Sequence, residues 1–264
     1  MESCAEQLLA VVERSPQATA AHDRAGWVGL FTADGRIEDP VGARPHIGSA
    51  EIGRFYDTFI GPRDITFHRY ADFVRGTVVI RDLELEVCMN SGVSMHIPAF
   101  LRYDLREVNG VWKIAALRAY WELSTMMWQF LRQGARAAPA AGQLALGLVR
   151  NQRLAGTFGF VTGFRPTGSR HKQLVQSFVT ALVHGEVRAA LNAMSPSATI
   201  TLGDSDRLDG AELASALQGS SWTKLIAAGS TVTVALASNH SQAVICADLA
   251  DQGNQIARVR YFPS

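Results

Sequence analysis

Asp39 stands directly before Pro40 in the run Ile37-Glu38-Asp39-Pro40-Val41-Gly42, at the end of what reads as a short strand, Arg36 to Asp39, stopped by Pro40 and Gly42. With Phe31, Phe55 and Trp121 expected around it, a carboxylate there loses water, which raises its pKa and makes it a stronger general base. The competing reading is a turn or cap residue, the common job of an Asp before Pro. His22 and Asp23 also invite a catalytic reading, but adjacent side chains on a helix diverge by about 100° and form no dyad by themselves. In the strand from Val79 to Met89, Leu83, Leu85 and Val87 alternate with Asp82, Glu84 and Glu86. That period of two reads as one buried face and one face that is solvated or pairs with another subunit, rather than as an acid cluster. No glycine-rich phosphate loop, metal-ligand spacing or Gly-x-Ser-x-Gly elbow occurs, so no metal and no other cofactor is expected.

The elements that would position Asp39 follow from periodicity. Ala5 to Ser15 and Thr19 to Phe31 read as helices separated by Pro16, and Ser49 to Ile60 as a third, with Ser49 as its N-cap. Asp64 to Val74, Thr77 to Met89, Val93 to Val108 and Val111 to Leu123 read as strands, separated by the hairpin signals Arg75-Gly76, Asn90-Ser91-Gly92 and Asn109-Gly110. Helices followed by a strand meander imply an α+β cone, helices packed on a curved antiparallel sheet.

The chain has 264 residues, 47% of them hydrophobic and 19% charged, which allows two packed domains and excludes a disordered chain. Lys and Arg number 25 against 24 Asp and Glu, so no overall field steers the protein to nucleic acid. Three scattered cysteines suit neither a disulfide framework nor a zinc site and fit a reducing cytoplasm. Met1 to Ala10 does not read as a secretory signal, and no apolar run is long enough for a clear transmembrane helix. Between Leu123 and Gly185 lie seven basic residues and no acidic one. The plan is therefore a first domain over 1–125, a basic helical linker over 126–166 and a second domain over 167–264. The linker either packs across the domains or makes peripheral contact with an anionic membrane surface.

From His171 the order of elements restarts, which reads as a diverged tandem repeat. Lys172 to His184, Val187 to Met194 and Gly210 to Leu217 read as helices. Ala198 to Leu202, Thr231 to Ala237, Gln242 to Leu249 and Gln255 to Phe262 read as strands. Leu202 falls where the first copy has Asp39, so the second copy reads as degenerate.

Ile37 to Gly42, Ile52-Gly53-Arg54-Phe55-Tyr56 and Ala119-Tyr120-Trp121 resemble the ketosteroid isomerase, or SnoaL-like, branch of the nuclear transport factor 2-like superfamily. The resemblance covers residues 5 to 123 and extends to 171 to 264 as a fold pattern. It implies that Asp39 takes a proton from the carbon next to a carbonyl and returns it two carbons away, and that Tyr56 belongs to the supporting hydrogen-bond network. It also implies a second domain that covers the first domain's sheet, as a second subunit does in related dimers. The oxyanion donors of similar isomerases fall at Ser15 and Ala99 and are missing; His68, Tyr70 and His96 replace them only if their strands turn them inward, and the phase of His96 is outward. The expected ligand is a steroid or similar hydrophobic ketone in a cavity lined by Phe31, Phe55, Tyr56, Phe100 and Trp121. Two other readings stay open: a non-catalytic carrier of a lipophilic molecule, and an Asp-dependent cyclase, dehydratase or epoxide hydrolase.

Overall fold

The computed structural model describes residues 3–89, 93–122, 169–239, 241–250 and 253–264. The stretch expected to form the basic linker lies outside the described residues. The chain divides into two compact units, Met1–Asp72 with Thr77–Arg165, and Phe73–Gly76 with Pro166–Ser264.

In the first unit, α1 (Cys4–Ala20) starts on a capping box in which Ser3 accepts from Glu6 N–H and Glu6 reaches back to Ser3 N–H. Pro16, expected to end this helix, sits inside it. The missing N–H costs a helical bond, but the buried face of Leu8, Val11, Val12, Ser15 and Thr19 runs on through it and holds the helix to the sheet. The break comes later, at His22, which adopts a left-handed φ of 51° before Asp23 caps α2 (Arg24–Gly29).

Phe31, expected in a helix, opens β1 (Phe31–Glu38). β2 (His46–Ile47) leads into α3 (Gly48–Phe55), which widens into a π-turn at Tyr56–Ile60. The N-cap is Ile47, not Ser49, and the Glu51 carboxylate accepts the Ile47 N–H. Then come β3 (Asp64–Arg75), β4 (Val78–Met89), β5 (Val93–Val108) and β6 (Val111–Tyr120). The sheet order is β2-β1-β6-β5-β4-β3. It is mixed rather than wholly antiparallel, because β1 runs parallel to β6.

The second unit repeats this order. α4 (Ser169–Val183) and α5 (Val187–Asn192) precede β7 (Met194–Leu202), β8 (Asp206–Arg207) and α6 (Gly210–Leu217). β9 (Ser221–Ala228), β10 (Thr231–Ala237), β11 (Gln242–Leu249) and β12 (Ile256–Pro263) complete a sheet ordered β8-β7-β12-β11-β10-β9. β9 was not expected from the sequence. β7 again runs parallel to the last strand.

The repeat holds residue by residue. Phe31, Ile37 and Glu38 pair with Ile114, Leu117 and Arg118, while Met194, Ile200 and Thr201 pair with Ile256, Val259 and Arg260 at the same spacing. An ion pair also recurs: Arg118 binds Asp104, and Arg260 binds Asp248.

Candidate active site in the first unit

Asp39 follows the last residue of β1. Val41 N–H donates to the Ala119 carbonyl at 2.8 Å, so the chain still holds β6 past the strand end. Alternation puts Asp39 on the face of Ile37 and Leu117, the face that α1 covers. Its carboxylate accepts a hydrogen bond from Trp121 Nε1 at 2.6 Å. Burial pushes the Asp39 carboxyl up to about 6, against the opposing pull of the Trp121 bond. Glu38 does the turn's capping instead, accepting the Gly42 N–H at 3.0 Å. Asp39 is therefore relieved of the role an Asp before Pro commonly has.

Trp121 packs against the cluster of Val87, Met95 and Ile97. A second aromatic group centres on buried Trp27. Phe31, Phe55 and Tyr56 lie 5.0, 6.3 and 5.5 Å from it, centroid to centroid. The Tyr56 hydroxyl is buried and has no hydrogen-bond partner among the described residues. Burial raises its pKa, with Asp23 and Asp57 adding to the effect and Arg24 opposing it.

Phe100 is displaced from its expected place. It pairs with Asp82 and Tyr120, and alternation turns it to the face opposite Ala99 and Leu101. It is fully buried, but away from the face of Asp39. The candidate replacement donors are not inward either. His68 and His96 lie on the outer face, bonded to Glu86 and Glu84 at 2.9 Å each, and Tyr70 is 59% exposed. His22 pairs with Asp64 rather than with its neighbour, while Asp23 caps α2 by accepting the Gly26 N–H.

Beneath α1 lies a polar group that the sequence did not suggest. Arg81, 1% exposed, donates to both carboxylate oxygens of Asp72 and to Glu13. Burial opposes its charge, but the Asp72 and Glu13 bonds outweigh that and raise its pKa. Tyr103, fully buried on β5, stands beside it. The signal was its parity with Ala99: two strand steps of two residues put both on one face. Among the described residues, no cluster of His, Cys, Asp and Glu suits a metal ion, and no helix is long and apolar enough to cross a membrane.

Helices over one face of a six-stranded mixed sheet, with the Asp39 carboxyl just past the first strand, match the nuclear transport factor 2-like fold. Residues 12–122 match the model of the SnoaL-like domain family. Among solved structures, the chain is similar to the Delta 5-3-ketosteroid isomerase from Mycobacterium sp., with 28% identity, a TM-score of 0.42, and coverage of 46% of this chain and 96% of that one. It is also similar to RV0760c from Mycobacterium tuberculosis in complex with estradiol-17beta-hemisuccinate, with 26% identity, a TM-score of 0.41, and coverage of 45% and 96%.

Proposed function

We propose that the first unit performs a ketosteroid isomerase-like reaction on a steroid or similar hydrophobic ketone. Asp39 takes a proton from the carbon between the carbonyl and the isolated double bond. The electron pair of that C–H bond moves into the carbonyl, giving a dienolate. The same carboxyl then returns the proton two carbons away, and the double bond ends in conjugation with the carbonyl. The observation that carries this reading is the Asp39 carboxyl, pushed up to about 6 by burial and held by the Trp121 indole at 2.6 Å. Such a group is mostly ionised near neutrality and binds a proton more strongly than an exposed aspartate. Phe31, Phe55 and Trp121 would supply apolar surface to a flat ligand, with Tyr56 in support.

A second reading, a non-catalytic carrier, is favoured by the missing donors. Ala99 has no polar side-chain atom, and the Ser15 hydroxyl, 2% exposed, is shared between Trp27 Nε1, from which it accepts at 3.1 Å, and the neighbouring Tyr103 phenol. An Asp-dependent cyclase, dehydratase or epoxide hydrolase would keep Asp39 and change the substrate.

The test is a spectrophotometric assay of a Δ5-3-ketosteroid with the full chain and with Asp39→Asn, following the conjugated enone. The expected outcome is turnover that falls by about 10³-fold in the variant. In the wild type, kcat/KM should rise with pH through about 6, as Asp39 loses its proton, and then level off. No turnover in either protein, with the steroid still quenching Trp121 fluorescence, would put the carrier reading first.

A further inference from the structure

The Tyr103 hydroxyl has no evident structural use. Its side chain is fully excluded from solvent, at 0% exposure, and its oxygen makes no hydrogen bond of good geometry among the described residues, with only the Ser15 hydroxyl close enough to act on it. A buried donor without an acceptor costs stability, and native proteins seldom keep one without a purpose. Nor does the fold demand a phenol there. Tyr103 pairs with Val79 and Leu117, and the matching register position in the second unit, which pairs with Val232 and Val259, is Ala247.

The position suits a ligand that shares the site with Asp39. Ile37, Leu117 and Tyr103 form one row across β1, β6 and β5, and Asp39, Ala119 and Leu101 lie on the row two residues along. Two strands across and two residues along separate the Asp39 and Tyr103 backbones by about 12 Å. A phenol and a carboxylate on one face at that separation leave room between them for the three-atom oxygen–carbon–carbon span of an enolate. Around the phenol stand Ser15 and the Arg81–Asp72–Glu13 group. Burial pushes the Tyr103 phenol up to about 12, so it remains a proton donor throughout the working range.

We propose that the Tyr103 hydroxyl is the hydrogen-bond donor to the substrate oxygen, in place of the donors missing at Ser15 and Ala99. This rests on the isomerase reading of Asp39. Arg81 is a positioning residue behind it, its guanidinium fixed by two carboxylates.

Tyr103→Phe in the full chain tests the proposal, because it removes one oxygen and no packing. The variant should melt at or above the wild-type temperature, since the buried hydroxyl it loses makes no well-formed hydrogen bond. Its kcat on the Δ5-3-ketosteroid should fall by about 10²-fold, with KM little changed, as for loss of one oxyanion donor. A second readout needs no turnover. Bound 2-naphthol, whose fluorescence distinguishes the neutral from the anionic form, should ionise at lower pH in the wild type than in Tyr103→Phe. An unchanged kcat together with an unchanged naphthol titration overturns the proposal, and Asp39 stands or falls separately by Asp39→Asn. If the wild type does not turn the ketosteroid over, the isomerase reading fails, and an unchanged naphthol titration in Tyr103→Phe then also removes Tyr103 as a donor.

Discussion

The two units share a strand order and a register, yet their interiors differ in kind. Against Asp39, Arg81 and Tyr103 in the first unit stand Leu202, Val234 and Ala247 in the second, each fixed by the same pairing pattern. Pro263 stands where the first unit has Trp121. In the second unit Val234 and Ala247 are fully buried in an apolar core with Val232, Ile245 and Val259, and Leu202 packs against it partly buried. An apolar interior therefore satisfies this topology, and the polar side chains of the first unit are not a requirement of the fold. Burying such groups carries a desolvation cost that packing alone does not return. The difference supports placing the proposed activity in the copy that keeps these costly residues.

The largest stability effect should come from making one position alike. Arg81→Val, which copies Val234, takes from the Asp72 carboxylate, 9% exposed, the buried guanidinium that binds both its oxygens, and leaves it only exposed Arg69 at 3.2 Å. Loss of about 3 kcal/mol is expected, read as an earlier first transition in urea, because a buried carboxylate that loses its buried partner is poorly compensated by one exposed guanidinium. A smaller change in that transition would mean that Arg69 or water compensates Asp72, and would weaken the contrast between the two cores.

Asp39→Asn should do the opposite and in a pH-dependent way. Burial pushes the folded carboxyl up to about 6, above the ordinary aspartate value of about 4, so the folded state holds its proton where the unfolded chain has released it. Stability from this group is full below about pH 4 and lost as pH rises through 6. The variant should thus gain about 1–3 kcal/mol over the wild type at pH 8 and nothing at pH 4, measured by urea unfolding at each pH. A gain that does not change with pH would mean that Asp39 ionises as an exposed aspartate does.

The smallest effect sharpens the role of Trp121. Its Nε1 bond lowers the Asp39 pKa, so Trp121→Phe should move the midpoint of the kcat/KM profile upward, by up to about one unit. A midpoint that stays in place or falls would mean that the indole does not stabilise the carboxylate.

Much of this was legible in the sequence, for identifiable reasons. The hairpin signals at Arg75-Gly76 and Asn109-Gly110 bounded β3 to β6 within a few residues, because turn residues act locally. Leu202 could be aligned with Asp39 because the two copies keep their order of elements. Phe100 was misassigned to the cavity because Ala99, Phe100 and Leu101 are all buried, and a strand covered on both faces carries no polar-apolar alternation to read. Pro16 misled because tertiary burial of Val12, Ser15 and Thr19 outweighs a local helix breaker. The parallel β1–β6 pairing and the Arg81 group depend on residues far apart in the chain, which periodicity does not register.

The hydrogen bond between Trp121 and Asp39 has an optical consequence. An indole whose N–H is held at 2.6 Å from a titrating carboxyl feels that group gain or lose its charge. The protein thus carries a chromophore wired to its own base, and the near-ultraviolet difference spectrum between wild type and Trp121→Phe should trace the Asp39 proton without any substrate present.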